Sequence, residues 1–273
     1  MSDPEFETLH IQAGPPWACL RAGAGRPLLL IHGSLCDARF WQGQLQPLAA
    51  AGYSVIAPSL PAYYPLHVFK RMRWQDDLEA LSLLLEYLSR DQAIDVVGHS
   101  RGGFLAYQLA RLSPDRVRRL VLAEPGGSFS ISTSAGTADK NSGQAWRQDI
   151  VSMLQRGEVE YALALFVDGV SRPGSWRASP QSFRQMALAN ASTLLSQLQD
   201  DTLPSYLENE VSELDLPVLL VKGQRSLPRF KLTIDTLSQY LPRAAVAEIV
   251  GAAHAMNLAH PQRFNQVVTD FLA

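Results

Sequence analysis

The chain of 273 residues is 47% hydrophobic and 18% charged, which is ordinary for a globular protein of one large or two small domains. Its formal net charge of −2 comes without any block of like charges, which argues against nucleic acid or an anionic membrane as a partner. Its two cysteines form neither a metal-binding pattern nor a disulfide framework, and no apolar run has the length of a membrane span.

The predicted secondary structure of residues 1–125 alternates between strands and helices. Two strand-like runs, 6–11 and 17–21, flank a Gly-Pro-Pro turn and predict a hairpin at one edge of a sheet. Apolar runs at 28–31 and 93–97 predict strands, the first with both faces buried, and further strands are predicted at 53–57, also buried, and at 117–123. Helices are predicted between them at 40–51, 72–90 and 103–112. This alternation predicts a mainly parallel sheet, whose site lies at the carboxyl ends of the strands.

The strand at 93–97 leads into Gly98-His99-Ser100-Arg101-Gly102, a G-x-S-x-G motif between a strand and a helix. In such a nucleophile elbow, a sharp turn lifts the serine hydroxyl above the sheet, and the neighbours must be small because the turn leaves no room. The start of the following helix places free N–H groups where an oxyanion would form. Ser100 is therefore a candidate nucleophile, and the alternative is a plain turn serine.

The pattern changes after residue 125. A polar loop rich in Ser, Thr and Gly covers 126–143, and helices are predicted at 146–156, 158–167 and 181–199, with no strand before residue 217. Strands resume at 218–221 and 246–250, followed by a last helix at 261–272. We interpret residues 126–212 as a helical cap inserted over the site, and residues 1–125 and 213–273 as the core domain.

Taken together, these motifs resemble the α/β-hydrolase superfamily over nearly the whole chain. The matching features are the His-Gly pair at 32–33, the elbow at Ser100, and His254 in a loop before the final helix. The stretch 32–38, with Trp41, is also similar to small bacterial serine esterases, perhydrolases and enol-lactonases. The resemblance implies an α/β fold with a mainly parallel eight-stranded sheet, helices on both faces and a helical cap. It also implies that His254 is the base for Ser100, although a surface histidine is the alternative.

The acid of the implied catalytic triad is missing from its usual place. In most of this family it stands three residues beyond a glycine, after the first strand that follows the cap, and here that residue is Ser226. A second place, used by some members, follows the strand after the nucleophile helix, and here it holds Glu124. We therefore predict a triad of Ser100, Glu124 and His254, in which the acid holds the imidazole tautomer. A structural role for Glu124 is the alternative, because many relatives carry an acidic residue there beside a normal acid.

Two backbone N–H groups are predicted to form the oxyanion hole, that of Arg101 after the nucleophile and that of Ser34 after His-Gly. The Arg101 side chain is expected to point into the cap or solvent, with a substrate carboxylate as an alternative partner. Candidate substrate-pocket residues are aromatic or imidazole side chains near these loops and in the cap: His32, Tyr63, Tyr64, Phe69, Trp146 and Phe166. For each of them, packing in the core or support of a loop is the alternative.

These residues predict a serine hydrolase that cleaves a small to medium carboxylic ester or lactone through an acyl-enzyme on Ser100. Two alternatives stay open: a carbon–carbon bond hydrolase or cofactor-free enzyme with His254 as the base, and a non-catalytic ligand-binding member. The sequence contains no metal-ligand cluster, phosphate-binding glycine loop or dinucleotide fingerprint, so we expect no cofactor, no metal and a small-molecule substrate as the partner. The acidic first residues do not resemble a signal peptide, and we expect a cytoplasmic protein.

Overall fold

The computed structural model of the chain describes residues 5–12, 14–68, 73–129 and 137–273. Its strands, numbered in chain order, are β1 (Glu7–Leu9), β2 (Trp17–Ala22), β3 (Arg26–Ile31), β4 (Tyr53–Pro58), β5 (Ile94–His99), β6 (Val117–Ala123), β7 (Ser128–Phe129), β8 (Ser205–Tyr206), β9 (Val218–Gly223) and β10 (Ala244–Ile249). One eight-stranded sheet has the order β1-β2-β4-β3-β5-β6-β9-β10. The pairings β1–β2 and β2–β4 are antiparallel and the others are parallel, which confirms the predicted mainly parallel sheet.

The helices lie between these strands along the chain. They are α1 (Gln42–Ala50), α2 (Trp74–Leu88), α3 (Arg101–Leu112), α4 (Thr137–Gln155), α5 (Val159–Val170), α6 (Ser175–Ala178), α7 (Gln181–Ala189), α8 (Ala191–Leu198), α9 (Glu208–Ser212), α10 (Pro228–Tyr240), α11 (Met256–Ala259) and α12 (Pro261–Leu272). Two 3-10 turns span Ala38–Trp41 and Pro114–Arg116. Among the described residues, no helix combines the length and apolar character that crossing a membrane requires.

Both faces of the sheet are covered by helices. Leu29 and Ile31 of β3 belong to an apolar cluster with residues of α2, α3 and α10, whereas Leu28 and Leu30 belong to a second cluster with residues of α1 and α12. This alternation follows from the period of two residues in a strand. Because both faces are buried at residues 28–31 of β3, all four of these residues are apolar, and each buried leucine stabilises the fold by roughly 1.5–3 kcal/mol.

A third apolar cluster lies between β6 and β9 in the sequence. Its buried members from α4 to α8 are Ile150, Ala162, Leu163, Phe166, Val167, Trp176, Ala187, Ala191, Leu194 and Leu198. Leu35, from the loop after β3, packs in the same cluster. The helices therefore have an apolar core of their own, into which a loop of the main domain inserts. The division of the chain into a core and a cap over 126–212 stays a prediction.

Three details of this segment differ from the sequence predictions. The parallel pair β7–β8 lies where no strand was predicted, because strands of two residues are too short for periodicity to reveal. The single helix predicted over 181–199 is two helices, α7 and α8, which meet at Asn190. Of the polar loop predicted over 126–143, residues 130–136 lie outside the described residues, and α4 already begins at Thr137.

Candidate active site

Ser100 occupies a sharp turn between β5 and α3. Its backbone has φ 53° and ψ −121°, a strained conformation for a residue with a side chain. A Cβ atom on Gly98 would lie 2.3 Å from the Gly102 carbonyl oxygen, and one on Gly102 would lie 2.3 Å from the Ile31 carbonyl oxygen. Only glycine fits at either position, so the G-x-S-x-G spacing is a direct consequence of how tightly this turn packs on the sheet.

His254 is paired with Glu124 in the interior of the protein. The Nδ1 atom of His254 lies 2.7 Å from Oε2 of Glu124, and the other carboxylate oxygen accepts the Gly223 N–H at 2.8 Å. Glu124 is completely buried and follows β6 with φ 41°, in the left-handed region. An ionised carboxylate only accepts hydrogen bonds, so Nδ1 of the neutral imidazole carries the proton and Nε2 keeps its lone pair.

The carboxyl of Glu124 is held in its ionised form. Burial alone would raise its pKa, but the hydrogen bond and charge of His254, the Gly223 N–H and the Ser226 hydroxyl together lower the pKa below its usual value. Ser226, at the family's usual acid place, is thus a neighbour of Glu124. Its buried hydroxyl favours the ionised carboxyl without forming a hydrogen bond of normal geometry to any described residue.

Two rings hold His254 from its sides. Phe230 stacks on it with ring centroids 4.1 Å apart, and the ring of His99 lies 4.7 Å away. The Nε2 atom of His99 donates a hydrogen bond to the His254 carbonyl at 2.8 Å, since a carbonyl can only accept. Burial, with the charge of His254 as a smaller cause, lowers the pKa of His99 to about 3, so this ring is a neutral spacer.

The loop after β3 lies against the elbow. A Cβ atom on Gly33 would lie 3.1 Å from Ser100 Cβ and 3.1 Å from Nδ1 of His99. The fully buried His32 supports this loop, because its Nδ1 donates to the Gly33 carbonyl at 2.9 Å and its Nε2 accepts the Leu60 N–H at 3.0 Å. Burial lowers the pKa of His32 to about 4, so it stays neutral.

The N–H groups of Ser34 and Arg101 belong to the residues that directly follow Gly33 and Ser100, which meet at this contact between loop and elbow. Neither donates to a backbone carbonyl within the part of the chain that the structure describes. Two backbone donors next to a strained serine, together with a buried histidine–carboxylate pair, are the groups that acyl transfer requires.

Comparison with known proteins agrees with this architecture. Residues 28–267 match the model of the alpha/beta hydrolase family. The chain belongs to this family. It is 30% identical over 290 residues to 2-hydroxymuconate semialdehyde hydrolase of Pseudomonas sp. strain CF600, covering 100% of this chain and 95% of that relative. It is 26% identical over 262 residues to pimeloyl-(acyl-carrier protein) methyl ester esterase of Aeromonas hydrophila, covering 92% of this chain and 97% of the relative.

The fold of this hydrolase is shared with enzymes of distant sequence. The crystal structure of bromoperoxidase from Bacillus anthracis superposes with a TM-score of 0.78 at 22% identity, covering 98% of this chain and 99% of that one. At this identity the likeness shows the α/β-hydrolase fold alone, and fold does not determine the substrate.

The side chain of Arg101 does not lie where the sequence predicted. Its Nη2 atom lies 2.5 Å from Oδ2 of Asp77 on α2, and both side chains of this ion pair are buried. Burial raises the pKa of Asp77 and Arg101 opposes that rise, so the two charges depend on each other. The expectation that Arg101 points into the cap or solvent is wrong, because α3 packs on α2 and turns this side chain between them.

The candidate pocket residues fall into separate groups in the hydrolase. The rings of Tyr63 and His32 meet edge to face at 4.8 Å, and the Arg39 guanidinium lies 4.3 Å from the centre of the Tyr64 ring. Trp146 and Phe166 stack on each other at 5.6 Å within the helical segment. Phe69 lies outside the described residues. A pocket role for the other five side chains stays a prediction.

Some residues of this site carry no signal in the sequence. Phe230 and Asp77 each contact a predicted site residue across at least 24 residues of sequence, and neither belongs to a motif. Within the described residues there is also no group of three or more His, Cys, Asp or Glu side chains placed to hold a metal ion.

Proposed function

We propose that this hydrolase cleaves a small to medium carboxylic ester or lactone through an acyl-enzyme on Ser100. The observation that carries the proposal is the buried 2.7 Å hydrogen bond between His254 Nδ1 and Glu124 Oε2. It selects the imidazole tautomer whose Nε2 has a free lone pair, which is the state a general base needs. Glu124 is the acid of the proposed triad, in place of the serine at 226.

The reaction has two halves. The hydroxyl oxygen of Ser100 attacks the substrate carbonyl while Nε2 of His254 takes its proton, and the N–H groups of Ser34 and Arg101 stabilise the oxyanion. His254 then gives the proton to the leaving oxygen as the carbon–oxygen bond breaks. In the second half His254 deprotonates a water, which attacks the acyl-enzyme. The acyl–oxygen bond then breaks, the acid leaves, and His254 returns the proton to the Ser100 oxygen. Glu124 stabilises the imidazolium in both halves.

A second candidate function is hydrolysis of a carbon–carbon bond on the same scaffold, with His254 as the base. The relative that favours it is the hydrolase of 2-hydroxymuconate semialdehyde, whose named substrate contains no ester group and which matches the whole of this chain. The methyl ester esterase of Aeromonas hydrophila favours the ester reaction instead. The two candidates share the fold and the base and differ in what Ser100 does.

The test is Ser100→Ala, assayed on a panel of p-nitrophenyl esters and lactones beside labelling with a fluorophosphonate probe. We expect at least a roughly thousandfold loss of kcat and loss of the label, because no other group can replace the nucleophile. The matched control is Ser113→Ala at the end of α3, which keeps full activity. An unlabelled Ser100 in folded wild-type protein contradicts the proposal. Retained turnover of a carbon–carbon substrate by Ser100→Ala favours the second candidate.

A further inference from the structure

We propose that the helical segment α4–α8 positions the oxyanion hole, and that Asn190 is the positioning residue through which it acts. The inference rests on the proposed function, because it concerns the N–H of Ser34 as an oxyanion donor. It adds a role for helices otherwise expected only to cover the substrate.

Asn190 joins the helical segment to two loops of the main domain. It lies between α7 and α8 and is completely buried. Its Nδ2 donates to Asp37 Oδ2 at 2.8 Å and to the Met186 carbonyl at 2.9 Å, and its Oδ1 accepts the Tyr64 N–H at 2.8 Å. The orientation of the amide follows from these partners, since the carbonyl only accepts and the backbone N–H only donates.

Asp37 lies at the end of the loop that carries the proposed oxyanion donor. It is completely buried and caps the 3-10 turn Ala38–Trp41 by accepting the Arg39 N–H at 3.0 Å. The Arg39 guanidinium pairs with both carboxylate oxygens, at 2.9 and 2.7 Å. Asn190 adds a donor from the helical segment to this pair. A buried carboxylate is strongly dependent on such donors, so the position of Asp37 follows that of Asn190.

Leu35 provides a second, apolar attachment of the same loop. Its side chain is buried in the cluster formed by α4 to α8, together with residues such as Leu163 and Phe166. Its backbone has φ 60°, in the left-handed region, which is unfavourable for leucine. A residue keeps such a conformation when its surroundings hold it there, and here these are the helical segment around the side chain and the turn closed by the Cys36 N–H on the Gly33 carbonyl at 3.3 Å.

Ser34 directly precedes Leu35 and lies three residues before Asp37. Its N–H is therefore on a short loop that the helices hold at two points, by packing and by a hydrogen bond. An oxyanion donor is effective only when it is held within about 0.5 Å of the productive position. A shift of α7 and α8 would thus move the Ser34 N–H and weaken stabilisation of the transition state. It would therefore lower kcat more than it raised KM.

The test compares Asn190→Ala with wild type on the best ester of the panel. We expect kcat to fall about tenfold to a hundredfold, since complete loss of an oxyanion donor lowers it by about 10²–10³. We expect KM to change by less than about threefold, and amide hydrogen exchange of residues 33–38 to become faster. A phosphonate or boronate analogue of the transition state should lose affinity in parallel with kcat.

Asn190→Asp provides a second variant with its own pH signature. At high pH the new carboxylate faces Asp37 and repels it, whereas at lower pH a protonated carboxyl can donate to Asp37 and accept the Tyr64 N–H as the amide does. We expect the ratio of variant to wild-type kcat to rise as the pH is lowered from 8 to 5.5. If Asn190→Ala does not fold, the pH dependence of kcat in Asn190→Asp still tests the proposal.

The matched control is Asp168→Ala. Asp168 accepts the N–H groups of Gly174 at 2.8 Å and Trp176 at 2.7 Å, so its hydrogen bonds lie inside the helical segment. This variant should lose thermal stability while keeping kcat and the exchange rates of residues 33–38. The proposal is wrong if both variants lose the same kcat, or if Asn190→Ala leaves kcat and exchange unchanged. Failure of Ser100 labelling in wild type would instead overturn the proposed function, while the exchange rates still report on the attachment of the loop.

Discussion

Glu124 combines a left-handed backbone with a completely buried carboxylate. The backbone conformation alone costs about 1–3 kcal/mol, and a buried charge costs more unless it is paired. The hydrogen bonds from His254 and Gly223 offset this cost, because each of them uses one of the two carboxylate oxygens. Strain and pairing of this kind concentrate at functional sites, which supports Glu124 as the acid in place of Ser226.

Glu124→Gln tests this role with little change in volume. The amide can still accept the Gly223 N–H, but its NH₂ group then faces His254 and favours the tautomer with the proton on Nε2. We expect kcat to fall about 10³–10⁴-fold with the fold intact, as expected for the wrong tautomer in a triad. Steady-state kinetics on a p-nitrophenyl ester, with circular dichroism for the fold, provide the measurement.

Asp235→Asn is the matched control for that loss of charge. Asp235 pairs with Lys222 at 2.8 Å, its side chain is exposed, and it has no part in the proposed triad. Its removal should leave kcat unchanged. If Glu124→Gln stays within tenfold of wild type, Glu124 is a structural residue, and the acid has to be sought elsewhere.

Two arginines at the start of β6 hold the end of α12. Arg118 pairs with the buried Asp95 at 2.7 and 2.9 Å and also donates to the Leu272 carbonyl at 2.6 Å. Arg119 donates to the carbonyls of Phe271 and Ala273. The last carbonyls of a helix have no partner within it and form the negative end of its dipole, so cations are favourable there. These contacts hold the last helix against the sheet that carries Ser100 and Glu124.

Arg118→Met should lower the free energy of unfolding by about 3–5 kcal/mol, because it leaves the charge of Asp95 buried without its partner. Burial already raises the pKa of Asp95 and Arg118 opposes the rise, so the loss should be larger at pH 8 than at pH 5. Urea unfolding at both pH values measures it. Arg156→Met removes an exposed pair with Glu158 and should have little effect. Equal losses of unfolding free energy in the two variants would show that the buried Asp95 pair stabilises the fold no more than an exposed pair does.

The stability of the whole molecule is expected to depend on pH through two buried histidines. Burial lowers the pKa of His32 to about 4 and that of His99 to about 3, against 6.5 in the unfolded chain. Below pH 6.5 the unfolded chain therefore binds protons that the folded protein does not, so stability is present above that pH and is lost as the pH falls. Between pH 6.5 and 5 each histidine should contribute a loss of about 2 kcal/mol.

His99→Asn isolates one of these contributions. The difference in unfolding free energy between pH 6.5 and pH 5 should shrink by about 2 kcal/mol relative to wild type, while contributions from other groups cancel in the comparison. Denaturant titrations at the two pH values provide the numbers. An unchanged pH dependence would mean that His99 binds its proton as readily in the folded protein as in the unfolded chain, which contradicts the lowered pKa.

The eight strands of the main sheet could be predicted from the sequence, within a few residues at each end. Strands buried on both faces contain runs of consecutive apolar residues, and the signal is local, as at 28–31 in β3, 96–97 in β5 and 120–123 in β6. The elbow is local too, because the close approach of Gly98 and Gly102 to neighbouring backbone requires glycine at both. The short pair β7–β8 and the break at Asn190 could not be predicted, since neither changes a pattern of helical or strand period.

The sequence by itself determined the order of strands and helices, the nucleophile elbow at Ser100, and a short set of partners for it, because these depend on neighbours along the chain. The tertiary structure alone decided which of them meet. The pairs Glu124–His254 and Asp37–Asn190 are 130 and 153 residues apart in sequence, and Arg101 joins Asp77 across 24 residues. Such pairs depend on the strand order of the sheet and on the paths of loops, which bring distant side chains into one buried space where an unpaired polar group is costly.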